Sequence, residues 1–125
     1  MSLPSHAETV IVGGGIAGAS AAYHLAKLGR TDVVLLERHQ LTSGTTWHAA
    51  GLIMQLRSTH ALTELARYNV ELYSSLEAET GQATGFKQNG TLGVARTKDR
   101  LFETRKLASI AKSTGIEAEM IGPEE

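Results

Sequence analysis

The chain has 125 residues and a mass of 13.3 kDa, enough for one modest domain and too little for two. Its net charge of -1 gives no support for a nucleic-acid or polybasic membrane role. The absence of cysteine excludes disulfides, thiolate metal sites and cysteine nucleophiles, and no apolar run approaches the ~20 residues that cross a bilayer.

The leader, Met1 to Glu8, holds no Arg or Lys and so reads as neither a signal nor a transit peptide. A soluble, cytoplasmic protein of prokaryotic type is the expectation. Thr9 to Val12 is a short β-branched run that ends in three glycines, as a buried parallel strand would. Ile16 to Leu28 follows as an alanine-rich helix, with Ala17, Ala21 and Ala22 keeping one face small and Gly29 as its C-cap. Asp32 to Leu36 is a second apolar run, closed by Glu37. Strand, helix and strand in under 30 residues make the opening of a doubly wound α/β sheet.

Ser43 to Thr46 predicts a tight turn or a helix start, followed by the small, apolar run His48-Ala49-Ala50-Gly51. A helix begins at Ala61. Leu62, Leu65, Asn69, Leu72 and Leu76 share one stripe, expected to be its core face, and Gly81 caps its end. Phe86 to Ala95 predicts a hairpin turning at Asn89-Gly90. Thr97 caps a helix of about 17 residues that stops before Gly115, with Leu101, Leu107, Ile110 and Ala111 on its apolar side. Ile116 to Ile121 reads as a short strand, after which Gly122-Pro123 turns the chain away. Two parallel strands cannot enclose a core alone, so the chain is expected to be the N-terminal piece of a longer protein.

Gly13, Gly15 and Gly18 form G-x-G-x-x-G between a strand and a helix. Gly13 serves the tight turn, Gly15 lets the backbone approach a pyrophosphate, and Gly18 brings helix against strand. Glu37 lies 24 residues after Gly13, where its carboxylate can accept from both ribose hydroxyls while repelling a 2′-phosphate. FAD or NAD therefore fits better than NADP. The alternative is a structural turn and a surface glutamate.

Among the five histidines, His48 is the functional candidate, because the small residues after it let a planar cofactor lie against the backbone. The residues alone leave open a buried or helix-start histidine with no such role. His6, His24, His39 and His60 stand at no metal-ligand spacing, so no metal is expected. Arg57, Arg67 and Tyr68 are weighed as substrate-carboxylate ligands and read instead as the charged and amphipathic face of a helix. The charges around Lys98 to Lys106 read as a solvated face.

GGGIAGAS, LLERHQLTSGTTWHAAGL and FKQNGTLGVA together resemble the N-terminal region of the dimethylglycine and sarcosine dehydrogenase group. These are FAD-dependent amine oxidoreductases of the glycine and D-amino acid oxidase superfamily. The resemblance covers nearly the whole chain, and SGTTWHAAG is its most specific part. It implies an α/β, Rossmann-like FAD-binding domain, incomplete here, over residues 1–81, and the beginning of a substrate domain over residues 82–125. It also implies a covalent bond from His48 to the flavin 8α position. Pyrophosphate contacts fall on Gly13, Gly15, Ile16, Ala17 and Gly18, and ribose contacts on Glu37 with Arg38 beside it. Gly44, Thr45, Thr46, Trp47, His48, Ala49, Ala50, Gly51 and Leu52 match the segment along the flavin.

The activity so implied is oxidation of an N-methyl amino acid, a small-molecule amine, by hydride transfer to flavin N5. His48 anchors the cofactor and is not the catalytic base. A folate-binding region would lie further on. The alternatives are another amine oxidase of the superfamily, or a non-catalytic relative of the subunit that regulates pyruvate dehydrogenase phosphatase. Neither nucleic acid nor membrane is an expected partner.

Overall fold

The computed structural model describes residues 4–124. The elements in chain order are β1 (Thr9–Val12), α1 (Ile16–Lys27), β2 (Val33–Leu36), a 3-10 turn (Thr45–His48), α2 (His60–Thr80) and α3 (Lys98–Thr114). They fall into two compact units, one ending at Gly51 and the other starting at Leu52.

In the first unit β1 and β2 pair in parallel, Thr9 opposite Val33 and Val12 opposite Leu36. The parallel arrangement is possible because α1 carries the chain back along the sheet between them. That helix ends in a Schellman arrangement: the Gly29 amide donates to Ala26 and the Arg30 amide to Leu25, both at 2.9 Å. The C-cap itself is Leu28, so the expected Gly29 cap stands one position further along. Glu8 secures the sheet's lower end through its amide to Asp32 (2.9 Å) and its carboxylate to Arg30. None of the α1 side chains is buried, and Val12 is 85% exposed.

In the second unit α2 and α3 pack on each other through small side chains. Thr63, Ala66 and Val70 of α2 are buried, as are Ala111 and Thr114 of α3. Thr59 and Thr97 cap the two helices, their hydroxyls accepting from Leu62 and Arg100, and both helices stop at a left-handed glycine, Gly81 and Gly115. The Thr63 hydroxyl donates to the Thr59 carbonyl (2.9 Å) and accepts from the Arg57 amide (3.1 Å), binding the entering segment to the first turn of α2. Arg67 pairs with Glu64 and reaches the Thr114 carbonyl at 3.4 Å. The ion pair raises the guanidinium and lowers the carboxyl relative to their ordinary values. Arg67 is thus committed to joining the two helices.

Three expectations need correction here. The leucine stripe is not the buried face of α2, since Leu62 is 50% and Leu65 61% exposed while Leu72 and Leu76 are half-buried. The face against α3 lies one residue round the helix, about 100° away, where Thr63 and Ala66 are small enough for close approach. No strand forms between Phe86 and Ala95, although Gly90 takes the left-handed conformation expected of the turn. An isolated hairpin is marginal in water, and Phe86 packs on Tyr73 of α2 instead (centroids 6.1 Å apart). Ile116 to Ile121 likewise lacks a ladder, because no strand among the described residues pairs with it.

Candidate cofactor site

The glycine run is shaped by the strand that feeds it. The Gly13 amide extends the ladder by donating to the Leu36 carbonyl (2.8 Å), and at φ +106° the residue adopts a conformation that L side chains rarely take. The chain reverses there and enters α1. Gly18, in the first turn of that helix, comes back against the loop: a Cβ on it would stand 1.9 Å from the Gly13 carbonyl oxygen and 3.3 Å from Ile11 Cγ2. Backbone oxygen cannot swing aside, so only glycine fits.

Gly14, an unassigned position within the fingerprint, turns out to be the buried glycine of the run. Its amide donates to Glu37 Oε2 (2.8 Å) and its carbonyl accepts from the Thr42 amide (3.0 Å). A Cβ on Gly14 would meet Leu41 Cδ2 at 2.5 Å and Glu37 Cβ at 3.2 Å. Sequence reasoning missed Gly14, Leu41 and Thr42. The third consecutive glycine was the available signal for Gly14. Nothing local marks Leu41 or Thr42.

Gly15 is the N-cap of α1 and has no side chain with which to cap it. The capping oxygen arrives from thirty residues away, as the Ile16 amide donates to Thr46 Oγ1 at 2.9 Å. A Cβ on Gly15 would stand 3.0 Å from that same oxygen. The next two amides, of Ala17 and Gly18, have no acceptor among the described residues. They point the positive end of the helix outward, as an anion-binding loop requires.

Glu37 closes the other side. Besides Gly14, its Oε1 accepts from the His39 amide at 2.9 Å. These two amides, Gly14 foremost, hold its carboxyl below the usual glutamate range. It is therefore an anion at neutral pH, fixed by backbone, with lone pairs to spare for hydroxyl donors. Arg38 is exposed beside it.

After Glu37 the chain passes Thr42, at φ +67°, and enters the 3-10 turn. Trp47 is 78% exposed, and His48 is exposed, its imidazole without a hydrogen bond among the described residues. Ala49 to Gly51 run on exposed, with Gly51 at φ +71°. Leu52 opens the second unit and is exposed there. The structure thus gathers Gly13 to Gly18, Glu37 and Thr46 at the end of the two strands. His48 stands two residues beyond that cluster. A cleft of about 180 Å³ under the leader, lined by Pro4, His6, Val10 and Leu36 among others, contains no glycine-loop residue and is unrelated to it.

The model of the FAD dependent oxidoreductase family matches residues 8–125. The chain belongs to that family. Among its relatives, human sarcosine dehydrogenase (mitochondrial) is 48% identical over 124 residues, 98% of this chain and 14% of that protein. Rat dimethylglycine dehydrogenase (mitochondrial) is 46% identical over 118 residues, 94% of this chain and 14% of its own. The mouse pyruvate dehydrogenase phosphatase regulatory subunit (mitochondrial) is 42% identical over 123 residues, 98% and 14%. The chain therefore spans about one seventh of the length of these relatives.

The residues present suit the family's cofactor. Two amides at the start of α1 have no acceptor among the described residues and suit phosphate oxygens, and Glu37 is an anion fixed by backbone amides that can accept from hydroxyls. No described residues form a cluster able to hold a metal ion, and none of the described helices is long and apolar enough to cross a membrane.

Proposed function

We propose that the protein carrying this chain oxidises the N-methyl carbon of a secondary or tertiary amino acid, of the dimethylglycine or sarcosine kind. Residues 1–81 belong to its Rossmann-like FAD-binding domain and residues 82–125 begin its substrate domain. The observation that carries this reading is the glycine loop, Glu37 and the SGTTWHAAG segment held against one another, in a chain 46–48% identical to two dehydrogenases of that naming. When bound, FAD supplies the acceptor for the hydride lost from the methyl carbon. This chain's share is to hold it. Ala17 and Gly18 present amides to the pyrophosphate, Glu37 accepts from the adenosine ribose with Arg38 beside it, and Gly44 to Leu52 run along the ring system.

His48 tethers the flavin through its 8α carbon. Forming that linkage would make one N–C bond, break the imidazole N–H and one methyl C–H bond, and release two protons and two electrons to dioxygen, which would leave as hydrogen peroxide.

A second reading comes from the regulatory subunit, whose 42% identity shows that a protein named for regulation shares this region. A third keeps the flavin chemistry and changes the amine. One experiment separates them. The purified full-length gene product is denatured in acid, run on a gel and inspected for flavin fluorescence, beside His48→Ala. Fluorescence retained by wild type and lost by the variant supports the tethered enzyme, and N-methyl amino acids are then assayed. Flavin that washes off both leaves an untethered oxidase, and no flavin in either favours the regulatory reading.

A further inference from the structure

We infer that Thr46 is a positioning residue: its hydroxyl fixes the histidine-bearing turn on the glycine loop, so that His48 is held in register before any cofactor arrives. Three observations converge on it. The Ile16 amide, first in α1, is taken by Thr46 Oγ1 at 2.9 Å, although the two residues lie in different elements thirty positions apart. Gly15 makes room for that oxygen, which a Cβ would approach to 3.0 Å. The same segment is fastened a second time upstream, where the Thr42 amide donates to the Gly14 carbonyl at 3.0 Å.

The conformation of Thr42 supports a route imposed by tertiary structure. A β-branched residue at φ +67° is disfavoured, and it persists only where its surroundings hold it. The path from Glu37 to the turn is thus pinned at Thr42 and again at Thr46. Downstream of Thr46 the turn is short and internally bonded, with the Trp47 amide on the Gly44 carbonyl (3.2 Å) and the Ala49 amide on the Thr46 carbonyl (3.1 Å). A 3-10 turn rises only ~2 Å per residue, so the His48 backbone lies about 4 Å along the axis from the fixed threonine. Without the hydroxyl, the helix start loses its cap and the turn loses its only side-chain bond to the loop among the described residues. The flavin assay rests on the proposed tethering at His48. The exchange assay does not.

The test compares wild type, Thr46→Val and Thr46→Ser in the full-length protein. Valine keeps the shape and removes the hydroxyl, whereas serine keeps the hydroxyl. In the apoprotein, amide exchange over residues 14–19 is followed by mass spectrometry. Exchange is expected to be about fivefold faster in the valine variant, the size of one lost helix cap, and unchanged with serine. Apoprotein is then incubated with saturating FAD, and acid-stable flavin fluorescence is followed in time. Covalent incorporation is expected to slow about tenfold or more with valine, a misplacement effect, and to be restored by serine. Equal exchange in wild type and valine variant overturns the clamp. Faster exchange with undiminished incorporation overturns its link to His48. If wild type itself incorporates no flavin covalently, the tethering proposal fails, and exchange alone decides whether Thr46 clamps the turn.

Discussion

The glycines of the loop differ in what surrounds them, and that difference is measurable. At Gly18 an added methyl group runs into a backbone oxygen at 1.9 Å, whereas at Gly14 it meets the far end of the exposed Leu41 side chain at 2.5 Å. Gly18→Ala is therefore expected to cost about 3 kcal/mol or more and Gly14→Ala nearer 1 kcal/mol, because a side chain can rotate and a carbonyl cannot. Urea midpoints of the two variants in the full-length protein check the order, and equal losses would contradict it. Glu37 gives a prediction in pH. Its carboxyl is held below the ordinary range by the Gly14 and His39 amides, so it binds fewer protons folded than unfolded. The stabilisation is complete above the unfolded value and is lost as pH falls below about 4.3 through the lower folded value. Glu37→Gln is expected to flatten that part of the stability-pH curve, read by thermal melts of the full-length protein from pH 7 to 3.

The helices were legible to within a residue or two where capping chemistry is local. Thr97 and Gly115 bracket α3 and Gly81 ends α2, because hydroxyls and left-handed glycines act on their immediate neighbours. Thr97→Ala is expected to cost about 1 kcal/mol, seen as reduced helicity and faster amide exchange in the first turn of α3, with Thr97→Ser close to wild type. The buried face of α2 was less legible. A leucine stripe marks where apolar bulk lies, but contact with α3 selected the smaller Thr63, Ala66 and Val70. The strands after residue 85 were misread for a similar reason: alternation and an Asn-Gly turn give a propensity, and a strand also needs a partner to accept its ladder.

Among the described residues, the buried hydrophobic ones are Ala66, Val70 and Ala111, while Val12, Leu52, Leu92, Val94 and Phe102 are each more than 70% exposed. Burial on that scale cannot offset the entropy of ordering over a hundred residues. The 125-residue polypeptide on its own is therefore expected to melt without a cooperative transition and to bind a hydrophobic dye. Circular dichroism and dye fluorescence test this, and one sharp melting step contradicts it.

The residues by themselves determined the strand-glycine-helix-strand order, the helix limits and the carboxylate at the end of β2, all products of short-range backbone chemistry. The family too was legible, in SGTTWHAAG and the glycine run together. Tertiary structure alone decided that Gly14 is buried against Leu41, that Thr42 takes a left-handed conformation and that Thr46 caps a helix begun thirty residues earlier. Each of these depends on two distant segments meeting at the end of a parallel sheet. The sheet fixes that meeting in space, and no local spacing in the chain encodes it.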